Sequence, residues 1–333
     1  MKSFIRHIIL DTQAVRIPLR FKKGILSILC FHGVTTHGRF CKTANFEGRH
    51  VHKDAFKDLL EYLLKRFNPI TLEQLTDYYY AGKTLPENPL FITFDDGFAN
   101  NYHHAFPVLK SLNCPAVIFL STGYIENRTG FWVERLEYSI HNTKFERLRT
   151  SLLDHDLDLP LNSNEEKETA YRTILRFLKG GSRLSAIEEA VRLICDRLGF
   201  PALSRIDGNE DYRFLTWDEV KEMSAHGISF GAHTVHHVNL TFEDLEKARW
   251  ETQASKHELE SRLGRECIAF CYPYGRSGYN DKMEALLKES GFKLGFQLGG
   301  KLNDRDTNPM LLNRIPVGWG SRKEDLFWHI LRS

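Results

Sequence analysis

Apolar residues along this chain fall into two patterns. Dense short runs occupy 24–31, 90–94, 116–120, 228–232, 267–272, 293–298 and 311–317. They are rich in β-branched and aromatic residues, and at about 4–8 residues each they have the length of buried strands. Between them the apolar positions recur every three or four residues. Phe56, Leu59, Leu60, Leu63 and Leu64 give that spacing over 53–67, and 102–112, 243–263 and 281–290 continue it. Thr71-Leu72-Glu73-Gln74 and Thr216-Trp217-Asp218-Glu219 read as capping boxes that open helices. Strand and helix therefore alternate, which predicts an α/β fold: a parallel sheet of about seven core strands with helical crossovers.

The alternation breaks from about 125 to 211, where the sequence is charge-rich and helical with no core strand. Helices are expected from Phe131-Trp132-Val133, over 165–178 and over 184–198. The simplest organisation is an N-terminal segment, 1–23, followed by one domain, 24–333, that carries a helical insertion at about 125–211. Insertions between strand and helix commonly shape access to a site.

Charge and cysteine usage narrow the class. Lys and Arg number 45 and Asp and Glu 43, so no nucleic-acid footprint is present. Six cysteines without a CxxC read as buried thiols of a reducing, cytoplasmic compartment. Arg6 and His7 interrupt the apolar run at 4–10, so no signal peptide is expected. The basic segment 1–23 is open to two readings. It could form an amphipathic helix making peripheral contact with an anionic membrane surface, or a helix packed on the body of the protein.

The chemistry sits where strands end. His32-Gly33 follows the first strand, Asp95-Asp96-Gly97 the second, His233-Thr234-Val235-His236-His237 a later one, and Pro273-Tyr274-Gly275 the next. In parallel α/β barrels, active sites lie at that face. Two adjacent carboxylates at the mouth of a buried strand need a cation, a proton or a tight cap. An Asp-Gly turn with one aspartate capping the next helix is the plainer alternative. His233 and His237 are four apart, a spacing that lets two imidazoles meet one ion, and His236 competes for the second place. Two histidines with one carboxylate leave positions open for water and substrate, as a catalytic metal site requires.

Thr93-Phe94-Asp95-Asp96-Gly97, His233-Thr234-x-x-His237 and Tyr272-Pro273-Tyr274-Gly275 together resemble the polysaccharide deacetylases, the carbohydrate esterase family built on the NodB-homology domain. The resemblance covers about 25–317, apart from the insertion. It implies a distorted (β/α) barrel, usually of seven strands, and metal-dependent removal of N-acetyl groups from an N-acetylated glycan. It also implies roles: Asp95 as general base, Asp96, His233 and His237 as metal ligands, and the backbone N–H of Tyr274 as donor to the oxyanion. The implied metal is Zn²⁺, with Co²⁺ or Ni²⁺ suited to the same ligands.

Two departures stand out. An arginine that commonly contacts the catalytic aspartate is replaced by Cys271, and Arg314 is a candidate to supply that contact. The usual late histidine acid is absent. Cys30-Phe31-His32-Gly33 resembles instead the early strand of the poly-N-acetylglucosamine deacetylase branch, which makes His32 the candidate general acid. Hydrolysis of another C–N bond, such as that of a formylated sugar, stays open. So does an inactive carbohydrate-binding homologue, although such a protein would be expected to have lost one of these residues.

Overall fold

The structure, a computed structural model, describes residues 24–41, 44–126, 129–152, 155–201 and 210–332. The basic segment 1–23 lies outside them. Twelve strands are described in chain order: β1 (Ser27–Phe31), β2 (Gly33–Thr35), β3 (His50–His52), β4 (Asn68–Pro69), β5 (Pro89–Phe94), β6 (Ala116–Leu120), β7 (Arg147–Leu152), β8 (His155–Pro160), β9 (Ile228–Ala232), β10 (Ala269–Cys271), β11 (Leu294–Leu298) and β12 (Leu312–Pro316).

Seven of them close a parallel barrel in the order β1-β12-β11-β10-β9-β6-β5, with β5 paired back to β1 from Ser27↔Leu90 to Phe31↔Phe94. These are the seven dense apolar runs. Every residue of β1, β5 and β6 is buried. Burial on both faces is what a parallel sheet wrapped in helices demands, and it is why those runs are apolar throughout rather than alternating.

Side chains alternate across each strand. Leu29 and Phe31 face the outer helices with Phe56, Leu60 and Phe94. Ile28, Phe91, Val117, Phe119, Ala269 and Phe296 fill the barrel itself, with Phe296 stacked 5.9 Å from Phe91 and tilted against Phe119 at 5.0 Å. The same period carries Cys30 and His32 up the inner face of β1, toward the end where the strands finish. Both capping boxes form as expected, at Thr71/Gln74 and Thr216/Glu219.

Three features differ from expectation. The insertion is not wholly helical: β7 and β8 pair as an antiparallel hairpin, separate from the barrel sheet. Its strand Arg-Leu-Arg-Thr-Ser-Leu alternates exposed and buried residues, a period-two signal short enough to be lost among charged neighbours. The helices Trp132–Asn142, Asn164–Leu178 and Leu184–Arg197 pack on it around a second core that includes Trp132, Leu136, Tyr171, Ile174 and Val191. Second, the chain over 35–50, which carries no strand signal in the sequence, returns to pair β3 with β2, Gly33 opposite His50. Third, the helix expected over 102–112 begins with a π-helical turn, Asn101–Ala105. Such turns often mark functional sites, and here Asn101 Nδ2 donates to the His32 carbonyl at 2.7 Å. Among the described residues, no helix is long and apolar enough to cross a membrane.

The β2–β3 pairing depends on Gly33. A Cβ there would run into the ring of His50, which is 3 % exposed and held by Asn100 Nδ2 at 2.9 Å. Gly33→Ala is therefore expected to destabilise the fold by about 1–3 kcal/mol, the usual cost of overpacking, read as a lowered urea midpoint at unchanged slope. An unshifted midpoint would show that His50 can move aside freely.

Candidate active site

Asp96 follows β5 and turns the chain with φ 76°, ahead of Gly97 at φ 85°. Left-handed backbone is costly for a residue with a side chain, and short polar residues bear it best. The turn points the Asp96 carboxylate at the histidines after β9. Its Oδ1 lies 3.6 Å from His233 Nε2 and 3.4 Å from His237 Nε2. Those three atoms are all within 4.8 Å of one another. Thr234, His237 and Tyr274 share the left-handed conformation, at φ 64°, 54° and 62°.

The donor set suits a divalent cation. Asp96 Oδ1 is buried and has no hydrogen-bond partner, an expensive state unless something positive occupies the space. His233 Nδ1 is 2.8 Å from the Cys271 carbonyl oxygen. A carbonyl can only accept, so Nδ1 carries the proton and Nε2 keeps its lone pair facing Asp96. Burial lowers the pKa of both His233 and His237, while burial first, with Asp95 and nearby glutamates adding, raises that of Asp96. Neutral imidazoles are the protonation state that metal ligation calls for, and a buried carboxyl that is costly to ionise alone is one that a bound cation would ionise. His237 is packed between Phe131 and Tyr274, ring centroids 4.7 and 5.2 Å away. His236 is turned away: its Nδ1 meets Glu251 Oε1 at 2.9 Å and its ring stacks on Trp250. Of the two, His237 is the one whose ring nitrogen is brought together with Asp96 and His233.

Asp95 is held by a different cation. Arg314, on β12, donates from Nη1 to Oδ1 at 2.6 Å and from Nη2 to Oδ2 at 2.7 Å. Both groups are buried. Arg314 Nη1 also reaches Thr93 Oγ1 at 3.1 Å, and Nη2 reaches Cys271 Sγ at 2.9 Å. The thiols of Cys30 and Cys271 lie 3.4 and 3.6 Å from Asp95 Oδ2. Burial pushes the Asp95 pKa up, but the Arg314 charge and its two hydrogen bonds prevail and hold the carboxyl well below its ordinary range. Arg314 thus occupies the place beside the aspartate that Cys271 leaves vacant.

His32 joins this group, its ring within 4.8 Å of the Asp95 carboxylate and the Cys30 thiol. Burial lowers its pKa to about 3, with Arg49, Arg314 and His233 adding to the effect and Asp95 opposing it. The imidazole is therefore neutral at pH 7. Tyr274 places its ring against His237, and its hydroxyl accepts from Trp132 Nε1 at 3.1 Å.

Three site neighbours have no counterpart in the sequence reading. Arg49 Nη2 donates to Glu134 Oε1 at 2.7 Å, Nε lies 3.4 Å from Glu47 Oε2, and Nη1 lies 3.7 Å from Asp96 Oδ2. Glu47 in turn meets Lys179 Nζ at 3.0 Å and the Tyr171 hydroxyl at 3.2 Å. Arg49 sits in an irregular loop, which carries no periodic signal. Glu134 had one: it is an acid in the same helix turns as Trp132, Val133 and Leu136, all buried.

Comparison with known proteins agrees with this geometry. The family described as polysaccharide deacetylase matches residues 82–295. Over 88 residues the chain is 28 % identical to the poly-β-1,6-N-acetyl-D-glucosamine N-deacetylase of Escherichia coli K12, covering 26 % of this chain and 13 % of that protein. The matches span 37 % or less of the length of the first curated relatives. Among solved structures, the deacetylase PplD of Streptococcus pyogenes, in complex with acetate, superposes with a TM-score of 0.61 at 18 % identity, covering 93 % of this chain and 99 % of that one. IcaB from Ammonifex degensii gives 0.57 at 19 % identity, with 94 % and 98 % covered. At these identities the likeness is one of fold.

Two outcomes follow from the electrostatics. Arg314→Met leaves a buried carboxylate unpaired and is expected to cost about 3–5 kcal/mol in urea unfolding, with Asp95→Asn/Arg314→Met recovering most of the loss. A single variant as stable as wild type would contradict the pairing. The second concerns acid. His32, His50, His233 and His237 all have folded pKa values depressed by burial, His32 to about 3 and His50 to about 4. Below an ordinary histidine pKa the unfolded chain binds these protons and the fold does not. The histidine contribution to the stability of the metal-free protein is therefore full above about pH 6.5 and falls as pH drops, by up to about 1.4 kcal/mol per pH unit for each, while the raised carboxyls of Asp96, Glu134 and Glu137 work in the opposite direction. The loss between pH 7 and 5 is expected to be smaller in His50→Gln than in wild type, and an identical urea-midpoint profile in the two proteins would refute this.

Proposed function

The chain belongs to the polysaccharide deacetylase family, and from that membership we propose that it is a metal-dependent hydrolase removing N-acetyl groups from an amino sugar in a polysaccharide or glycan precursor. One observation carries the reading: an open carboxylate–imidazole–imidazole set at 3.4 and 3.6 Å stands beside a second carboxylate clamped by an arginine. The first set would hold the cation through Asp96, His233 and His237. Zn²⁺ suits those ligands best, with Co²⁺ or Ni²⁺ as alternatives. When bound, the cation polarises the acetamide carbonyl and lowers the pKa of water.

The chain's own residues then divide the proton work. Asp95 orients the attacking water and accepts its proton. The Arg314 clamp makes that carboxylate a poor resting place for the proton, and neutral His32 beside it is a better one. His32 thus rests without the proton it donates, receives it within the turnover, and delivers it to the departing amine. The backbone N–H of Tyr274 donates to the developing oxyanion, an interaction of a kind worth about 3 kcal/mol. Acetate and a free amino sugar are the products. The named activity of the Escherichia coli relative makes β-1,6-linked poly-N-acetylglucosamine the first glycan to try.

The test is acetate release by the purified, Zn²⁺-loaded protein from that polymer and a panel of N-acetylated glycans. Asp95→Asn is expected to abolish turnover. His32→Ala is expected to keep its metal and its melting temperature while losing about 10²–10⁴-fold in kcat. No acetate from any glycan tested would overturn the proposal, and formate released from an N-formylated sugar instead would move it to a deformylase. Near-wild-type turnover by metal-loaded His32→Ala would hand the acid role to another group and leave His32 as a residue of the turn after β1.

A further inference from the structure

Two positive charges have a claim on Asp96: a bound divalent ion, on the Oδ1 side, and Arg49, on the Oδ2 side. Arginine and aspartate at close range ordinarily close into a bidentate pair. Arg49 does not. Its Nη1 stops 3.7 Å from Asp96 Oδ2, beyond hydrogen-bond distance, while its Nη2 donates to Glu134 Oε1 at 2.7 Å. Glu134 is fully buried, comes from the insertion helix Trp132–Asn142, and its Oε2 has no hydrogen-bond partner. Glu47 is a looser hold at 3.4 Å, and it shares its carboxylate with Lys179. The backbone of Arg49 cannot withdraw, because its carbonyl accepts from Gly33 N and the next residue, His50, is fixed in β3.

We propose that Glu134 is a positioning residue for the metal centre. It tethers Arg49 short of Asp96, so that the guanidinium does not close on the carboxylate and Oδ1 stays open toward His233 and His237. The insertion then has a duty beyond shaping access, since it supplies the anion that keeps a metal ligand available. The inference rests on the reading of Asp96 as a ligand.

Zn²⁺ affinity of the metal-free full-length chain, measured by competition with a chromophoric chelator, tests it. Glu134→Gln frees Arg49 to pair with Asp96 and is expected to weaken Zn²⁺ binding about 10–100-fold, the range usual for partners of metal ligands. Removing the competitor as well, in Glu134→Gln/Arg49→Met, is expected to bring affinity back toward the wild-type value. Arg49→Met alone should bind at least as tightly as wild type. A merely structural role for Glu134 would leave the double variant as weak as the single one, and that result overturns the proposal. So does unchanged affinity in Glu134→Gln, or about 10-fold weaker binding by Arg49→Met. Thermal melts of each metal-free variant establish that it is folded. Asp96→Asn separates the two levels: wild-type affinity in that variant sinks the ligand set itself, whereas its loss beside an unchanged Glu134→Gln sinks the tether alone.

Discussion

Asp95 and Asp96 are adjacent, both are nearly inaccessible, and both stand at the end of a strand with a dry barrel beneath them. Two like charges cannot share such a place unless each has its own counter-charge. The chain meets that constraint by sending them to different partners. Asp95 is gripped by Arg314 through a planar fork that matches both of its oxygens. The left-handed turn at Asp96 swings the second carboxylate across to the histidines. There the nearest cation stays beyond hydrogen-bond range and one oxygen is left bare. The result is one carboxylate fixed in its ionised state and one left short of a counter-charge, which is the division of labour that the proposed metal-dependent hydrolysis would need.

The wider charge balance points the same way. Glu47, Glu134, Glu137 and Asp96 cluster around Arg49 and Lys179, four acids to two bases. Burial raises the pKa of Glu134, Glu137 and Asp96 as isolated groups, with Arg49 pulling each back. Glu137 meets its own need from the backbone N–H groups of Asn45 and Phe46 and from the Tyr212 hydroxyl. A divalent ion would supply the positive charge that Asp96 still lacks. The insertion contributes both Glu134 and Glu137, so its packing on the barrel mouth and the electrostatics of the centre are one structure.

Much of this was legible in the residues. The seven barrel strands announce themselves because strands buried on both faces must be apolar throughout, and helices cannot imitate so short a dense run. Asp95, Asp96, His233 and His237 stand out because strand ends concentrate polar groups that the barrel interior refuses. The β7–β8 hairpin was missed because six residues alternating Arg or Ser with Leu or Thr look much like a charged helix face. Arg49 was invisible for a different reason. Its placement depends on β2 and β3 pairing across a long loop, and on Gly33 leaving room for the His50 ring. Contacts set by close approach of distant backbone leave no periodic trace.

The exchange at Cys271 shows what the barrel does hold constant. An arginine on β10 would have to share the space that Arg314 fills from β12, two strands away, and two guanidinium groups could not both face Asp95 in a dry interior. Cys271 is small enough to let the Arg314 side chain pass, and its sulfur accepts from Nη2 at 2.9 Å. The thiol therefore fits because the arginine arrives from elsewhere. What the chemistry requires is a fork of donors on both oxygens of the aspartate, anchored where water cannot compete. In a closed parallel barrel, strands on either side deliver side chains to the same axial level, so more than one strand can meet that requirement.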